Sequence, residues 1–166
     1  MSISQTRIGI QYALHCLSCS GVLVCVYALF VEFEKEHDAN YQPLCDVSSA
    51  VSCTKALTSP WSRGMGIVAP VLGEDSLLNQ RNPVYGLFVY FILLLLGFTN
   101  NLIAVKLYVL VAVVLNLMTV YLAYILYFKI QSLCLVCLMT YLINFGLLVF
   151  SYWRLRTVEA ELNKRR

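Results

Sequence analysis

Long uncharged stretches dominate the chain. Lysine, arginine, aspartate and glutamate are all missing from residues 8–31, 82–105, 107–128 and 130–153. Each stretch reaches the roughly 20 helical residues needed to cross a hydrocarbon core of about 30 Å. Because a bilayer offers no water to the backbone, helix is the expected conformation. The pattern predicts an all-α membrane protein with four transmembrane helices, at about residues 8–33, 82–98, 102–128 and 132–154.

The connections between these helices are unequal. The second, third and fourth spans are separated only by turns near Asn100 and Lys129, and such short turns predict antiparallel neighbours in an up-down bundle. Residues 34–81 form one long loop that contains many apolar residues and a tryptophan, Trp61, suited to a membrane interface. We therefore expect residues 1–166 to form a single integral membrane domain, with this loop as a lid over one end of the bundle.

Composition agrees with a membrane protein. Apolar residues make up 60% of the chain and charged residues 13%, whereas soluble domains are about half apolar and a quarter charged. These values exclude a soluble globular protein and a disordered chain. The net charge of +3 comes from a basic C-terminal tail, so it does not indicate a nucleic-acid partner.

Basic residues near the span ends predict the orientation. Arg7 precedes the first span, and a basic group follows the last one: Arg154, Arg156, Lys164, Arg165 and Arg166. The positive-inside rule then places both termini in the cytosol and the long loop in a lumen or outside the cell. The first span is too long for a signal peptide and lacks a small-residue cleavage site, so we expect it to be retained.

Seven cysteines fall into three groups. Cys16, Cys19 and Cys25 lie within the first span, where cysteine usually acts as a small apolar side chain, and we assign them no chemistry. Cys45 and Cys53 lie on the long loop, which we expect to be exposed to an oxidising compartment, so they are expected to pair. A purely structural staple on this small loop is the alternative.

The third group, Cys134 and Cys137, opens the fourth helix at its lumenal end. Two thiols spaced i and i+3 face the same way, and a helix N-terminus favours the thiolate. This arrangement suits thiol–disulfide exchange. A zinc site would need a second ligand pair, and an oxidising lumen works against free thiols, so we expect no metal and no tightly bound cofactor.

Several polar residues accompany this pair. Tyr141 and Asn144 follow Cys137 by one and two helical turns, and either could bind a ligand or hydrogen-bond a neighbouring helix. Asn82 begins the second span beside Pro83, which locally favours an N-cap. An asparagine there could instead point inward beside Cys137. The charged run from Glu32 to residue 38 is interpreted as a solvated face.

Together the two dithiols suggest an electron relay. Thiolate attack on a disulfide passes through a mixed disulfide, so electrons could move from soluble thiols to Cys45/Cys53 and then to Cys134/Cys137. The terminal acceptor must be reachable from the bilayer. A lipid-soluble quinone fits, because it accepts two electrons and two protons and presents oxygens to Asn82 and Tyr141.

Several motifs follow one another along essentially the whole chain: Leu44-Cys45-Asp46-Val47, Ser52-Cys53, Trp61-Ser62-Arg63-Gly64, Leu78-Asn79-Gln80, Tyr121-Leu122-Ala123, Cys134-x-x-Cys137 and Thr140-Tyr141. Their order and spacing resemble those of the vitamin K epoxide reductase family.

This resemblance implies a role for each motif. Cys137 would act on the quinone or epoxide ring and Cys134 would be its resolving partner, while Cys45 and Cys53 would shuttle electrons. It favours Asn82 and Tyr141 as donors to the naphthoquinone oxygens, against the local preference for a cap.

The same resemblance implies the wider setting of the reaction. Vitamin K epoxide would be reduced to the quinone and then to the hydroquinone in the endoplasmic reticulum membrane. A thioredoxin-like lumenal dithiol protein or a small thiol would be the reductant, and coumarin anticoagulants would be inhibitors. Pro60 departs from the arginine common before the family's tryptophan, and Arg81 and Pro83 flank Asn82 unusually, so the lid edge and drug sensitivity could differ.

Two other functions remain open. A quinone-linked oxidase that forms disulfides in partner proteins would use the same residues in the opposite direction, because redox potentials and not sequence decide the direction. A tetraspan adhesion protein such as a claudin also carries two cysteines in its first external loop. That reading leaves Cys134 and Cys137 without a purpose.

Overall fold

A computed structural model describes residues 3–48 and 50–165, so the predicted cytosolic Arg166 lies outside the described residues. Six α-helices follow one another in these ranges: α1 Ile3–His37, α2 Cys53–Leu57, α3 Val68–Leu72, α4 Asn82–Phe98, α5 Leu102–Ile125 and α6 Leu135–Arg165. Short helical turns span Pro60–Ser62 and Gly64–Gly66, and a π-helical turn spans Leu126–Ile130. Across the described ranges no β-strand forms, and two isolated bridges join Val51 to Leu133 and Arg63 to Arg81.

Three of the helical segments are long and apolar enough to cross a membrane: Arg7–His37, Leu102–Ile130 and Leu135–Lys164. The remaining long helix, α4, is apolar but has only 17 residues. The chain is thus a helical membrane protein, as its hydrophobic pattern predicts.

Helix α1 lies at the centre of the packing, in contact with both α4 and α6, while α5 packs on α6. Ion pairs at the helix ends show the relative directions of these helices. Arg7 near the start of α1 pairs with Glu161 near the end of α6 at 2.8 Å. Arg81, which precedes α4, pairs with Glu32 near the end of α1 at 3.4 Å. Helix α1 is therefore antiparallel to both α4 and α6.

Buried apolar residues form two clusters along these helices. The central cluster contains Ile10, Leu14, Cys25, Tyr90, Leu93, Tyr108, Ile143 and Leu147. The cysteine cluster joins α1 and α6 to the long loop and contains Ala28, Val31, Cys45, Cys53, Ala56, Leu57, Leu126, Cys134 and Val136. The loop thus shares a core with the helices instead of standing apart from them.

The helices at both ends of the chain extend beyond the predicted bounds. Helix α1 spans Ile3–His37 instead of 8–33, and α6 spans Leu135–Arg165 instead of 132–154, because their charged ends continue as helix. The Arg154 side chain, expected to be a membrane flank, is 1% exposed. It donates to the carbonyl oxygens of Gly97 and Thr99 at 3.0 and 2.6 Å, which satisfies the C-terminal end of α4.

The lid, defined here as residues 60–72, consists of two short helical turns and α3. Its turns depend on Gly66, which has a φ of 70°, in the region that favours glycine. A Cβ atom at Gly66 would also collide with the Trp61 ring. The Gly64 amide donates to the Gln80 carbonyl at 2.7 Å, which ties the lid to the segment before α4.

Candidate active site

Cys134 and Cys137 lie at the start of α6. The chain reverses after α5 through the π-helical turn and through Gln131, which has left-handed backbone angles (φ 54°, ψ 36°). Both cysteines are free. The Cys137 amide donates to the Cys134 sulfur at 3.2 Å, so the first helical turn solvates a negative charge on that sulfur.

Cys45 and Cys53 form a disulfide, with 5.7 Å between their Cα atoms. The expectation that this pair is exposed is wrong, because Cys45 and Cys53 are 7% and 0% exposed. Ala56 and Leu57 of α2 pack beside them in the cysteine cluster and cover the bond.

A short backbone bridge brings the two cysteine pairs together. The Ser52 amide donates to the Leu133 carbonyl, and the Leu133 amide donates to the Ala50 carbonyl, both at 2.8 Å. These bonds join the residues that directly precede Cys53 and Cys134. The side chains of Cys53 and Cys134 are both fully buried in the cysteine cluster, so the two cysteine pairs share one apolar environment.

An apolar cavity of about 180 Å³ adjoins Cys137. A cavity of about 150 Å³ is enough to hold a benzene ring. Helical residues on its walls include Cys25, Gly86, Val89, Met118, Leu122 and Val136, and lid residues Trp61 and Met65 cover it. Asn82 and Tyr141 also line it, so both predicted ligand-binding residues lie in the cavity that contains Cys137.

Asn82 does not cap α4. Arg81 occupies the N-cap position and Asn82 is the first helical residue, so its side chain is directed elsewhere. Its amide nitrogen donates to the Trp61 carbonyl and its oxygen accepts from the Met65 amide, both at 2.8 Å. The local preference for a cap is therefore wrong, and Asn82 holds the lid over the cavity while keeping a second N–H and a second lone pair for another partner.

Tyr141 and Asn144 lie on the same helix but differ in their partners. Asn144 accepts from the Tyr90 hydroxyl at 2.7 Å and donates to the Thr119 hydroxyl at 2.9 Å, so it joins α6 to α4 and α5. Within the described ranges, no protein group hydrogen-bonds the Tyr141 hydroxyl. The Tyr141 hydroxyl, unlike the Asn144 amide, therefore remains available to a molecule in the cavity.

Glu32 is a residue of this site that sequence reasoning missed. The interpretation of residues 32–38 as a solvated face is wrong at this position, because Glu32 is 4% exposed and lines the cavity. The helical spacing of the buried residues on α1 could have identified Glu32. Glu32 follows Cys25 and Ala28 on the buried face of α1, and its charge is paired with Arg81.

Of the three remaining cysteines, Cys25 forms part of the cavity wall, whereas Cys16 and Cys19 do not line it. Cys16 and Cys19 are free and exposed on α1, and Cys25 is buried against α4. Among the described residues, Cys45, Asp46 and Cys53 form a group of possible metal ligands whose ligand atoms lie within 4.8 Å of one another, but its two sulfurs are bonded to each other.

Comparisons with known proteins agree with this geometry. Residues 12–152 match the model of the vitamin K epoxide reductase family. The chain is 43% identical over 136 residues to vitamin K epoxide reductase complex subunit 1 of Mus musculus, covering 82% of this chain and 84% of the relative. Identity to the Rattus norvegicus protein of the same name is 41%, with the same coverage. The chain therefore belongs to the vitamin K epoxide reductase family of oxidoreductases.

Proposed function

We propose that this protein reduces vitamin K 2,3-epoxide to vitamin K quinone and then to the hydroquinone. The observation that carries the proposal is the placement of Cys53 and Cys134 in one buried cluster, with Cys137 facing an apolar cavity. The names of the mouse and rat relatives supply the substrate. The cavity offers ring-sized apolar space with polar groups at Asn82 and Tyr141.

Each half of the reaction consumes one dithiol. The Cys137 thiolate attacks the ring, and Cys134 then displaces it as the Cys134–Cys137 disulfide forms. In the first half, epoxide and two thiols give quinone, water and a disulfide. In the second, quinone and two thiols give hydroquinone and a disulfide. Hydrogen bonds from Asn82 and Tyr141 to the ring oxygens stabilise the charge that develops there.

The relay then regenerates the active pair. Reduced Cys53 attacks Cys134, a mixed disulfide forms, and Cys45 resolves it as the Cys45–Cys53 bond closes. The Cys45–Cys53 disulfide and the free thiols of Cys134 and Cys137 are compatible with the products of this proposed transfer. A lumenal thioredoxin-like dithiol protein or a small thiol supplies the next electrons.

The setting proposed for this chemistry is the endoplasmic reticulum membrane. Helix α4 crosses it together with the three longer helices, since about 17 residues is the lower limit for a span. The result is an up-down four-helix bundle in one catalytic domain, with both termini cytosolic and the lid in the lumen. Coumarin anticoagulants would compete for the cavity as planar bicyclic molecules.

Purified protein in detergent, supplied with a dithiol and vitamin K epoxide, tests the proposed activity. We expect quinone and hydroquinone to form, and we expect Cys137→Ala to abolish both because it removes the attacking sulfur. Cys16→Ala is the matched control, since Cys16 is exposed and does not line the cavity. Oxidation of a thioredoxin-like partner without any epoxide turnover would contradict the proposal.

The relay has a separate test in the double variant Cys45→Ala, Cys137→Ala. This variant leaves Cys53 and Cys134 without their resolving partners, so the mixed disulfide should accumulate. Mass spectrometry of peptides from the oxidised protein would identify it. If Cys53 and Cys134 stay unlinked in a folded variant, the relay is wrong even where epoxide turnover is right.

A further inference from the structure

The carboxyl group of Glu32 has no role in the reaction proposed above. It lies one turn before the end of α1, is 4% exposed and lines the cavity together with Cys137, Asn82 and Tyr141. Of the described residues that line the cavity, it is the one carboxylic acid. A carboxyl group in a mostly apolar wall indicates a function, because burying a charged group is costly in free energy.

The two oxygens of Glu32 differ in their surroundings. Oε2 lies 3.4 Å from Nε of Arg81, whereas Oε1 is buried and has no hydrogen-bond partner among the described residues. Buried polar atoms are nearly always paired, so an unpaired one indicates a missing ligand or water. Oε1 is therefore available to a molecule in the cavity.

The proposed reaction requires such a group. A thiol must lose its proton before its sulfur can attack, and a ring oxygen must gain a proton as the ring is reduced. Asn82 can donate hydrogen bonds but cannot exchange a proton at neutral pH. Glu32 can do both, and it lines the same cavity as Cys137.

The geometry points to Glu32 as the proton carrier between Cys137 and the bound ring, an inference that rests on the proposed function. The carboxylate takes the thiol proton of Cys137, and the thiolate forms a bond to the ring. Cys134 then breaks that bond as the disulfide closes, and the electron pair stays on the ring. Glu32 passes its proton to one ring oxygen, and the Cys134 proton goes to the other. Quinone and two thiols thus give hydroquinone and a disulfide, with Glu32 ionised again.

Charged groups on three sides hold Glu32 for this role. Arg81 before α4 and Arg63 in the lid bring positive charge to it, Glu36 lies one turn further along α1, and Cys137 lines the same cavity from α6. Arg81 also pairs with Glu36, whose side chain is 48% exposed. The cluster therefore connects the cavity wall to the water-facing surface.

A single-turnover experiment with Glu32→Gln tests this inference. Pre-reduced protein is mixed with vitamin K quinone, and loss of the quinone absorbance is followed between pH 5 and 9 in H2O and D2O. Glutamine keeps the shape but carries no exchangeable acidic proton, so the rate should fall at least about 100-fold. Its pH dependence and solvent isotope effect should shrink, while KM stays nearly unchanged. Glu34→Gln, on the same helix, should behave like the unmodified protein.

Glu32 could instead serve only to hold Arg81 and the lid. In that case Glu32→Gln would raise KM, keep the pH dependence and the isotope effect, and the inference would be overturned. Glu32→Asp is the second variant: it keeps the acid, so it should recover most of the pH dependence even if the protein is less stable. If the unmodified protein itself fails to consume quinone, the proposed function fails, which is a result distinct from a normal rate in Glu32→Gln.

Discussion

At the scale of single residues, Asp46 controls the surroundings of the Cys45–Cys53 bond. Partial burial alone would raise the pKa of the Asp46 carboxyl, but the surrounding polar groups of Thr54, Ser52 and Cys53 outweigh it and lower the pKa from its ordinary value. The Thr54 amide donates a hydrogen bond to this carboxylate at 3.0 Å. The ionised carboxylate therefore holds the start of α2 against the disulfide.

This shift fixes a direction for the pH dependence. A carboxyl whose pKa is lower in the folded state stabilises the fold at pH values above its ordinary pKa, and that contribution disappears as the pH falls through the lowered value. Hydrogen-exchange protection of residues 50–57 should therefore decrease when the pH is lowered below about 3.8. Asp46→Asn should show weak protection at neutral pH and little further change in acid. Equal pH dependence in both proteins would contradict this role.

Residue positions were predictable where local spacing defines them. The placement of Cys134 and Cys137 at i and i+3, and the shared face with Tyr141, follow from helical periodicity. The contacts of Glu32 and Asn82 did not follow, because their partners Arg81 and Trp61 come from other elements. A charge run resembles a solvated face until the tertiary structure shows which member turns inward.

At the scale of elements, α1 and α4 approach closely because small residues lie between them. A Cβ atom on Gly86 would come within 2.6 Å of the Cys25 sulfur, and one on Gly21 within 2.7 Å of the Tyr90 ring. Close approach through small residues is a common way for membrane helices to pack. Cys25, which was given no chemistry, thus has a packing role at this contact.

Gly86→Ala should force the two helices apart. Overpacking of this kind usually costs about 1–3 kcal/mol, so the midpoint of unfolding in detergent should decrease. Cys25→Ala removes the sulfur that the new methyl group would strike, so the double variant should regain most of the lost stability. The coupling between the two sites is the quantity to measure. Additive losses in the double variant would show that the contact does not limit the packing.

Helix positions were predictable because the uncharged stretches nearly coincide with them. The end of the third long helix, α5, was not predictable. The pattern predicts helix to residue 128, whereas α5 ends at Ile125 and continues as a π-helical turn to Ile130. The reason lies in the long loop, since Leu133 must reach the backbone of Ala50 and Ser52. That pairing between distant segments leaves no mark in the local sequence.

At the scale of the whole molecule, a charge cluster joins three separate segments. Glu36 on α1 accepts from Arg63 in the lid at 2.9 Å and from Arg81 before α4 at 2.5 Å. The lid is therefore held by ions on its outer side and by Asn82 on its cavity side. Opening of the lid requires both connections to break.

Glu36→Gln should loosen the lid without unfolding the helices. Exposed ion pairs contribute little individually, so amide exchange in residues 60–72 should accelerate by no more than about fivefold. High salt should give the unmodified protein a similar rate, because it screens the same charges. Glu34→Gln is the matched control for the loss of one negative charge. Unchanged lid exchange in Glu36→Gln would show that these ion pairs do not hold the lid.

The overall arrangement was only partly predictable. Two cysteine pairs on one side of a helical membrane protein follow from the spans and the orientation rule. Their contact within one apolar cluster could not be predicted, because it depends on how α2, which is part of the long loop, packs in the folded protein. The apolar loop residues suggested a cover, but only the folded chain shows which of them line the cavity.

Burial of the Cys45–Cys53 bond couples redox exchange to motion. Under the proposed relay, a reductant in solution cannot reach a sulfur that is covered by α2, so the segment around Cys53 must open before electrons enter. The supply of electrons then has an upper limit set by the opening rate, and raising the reductant concentration beyond that point brings no faster turnover. Because α2 covers them, Cys45 and Cys53 in their reduced form are also shielded from oxidants in solution.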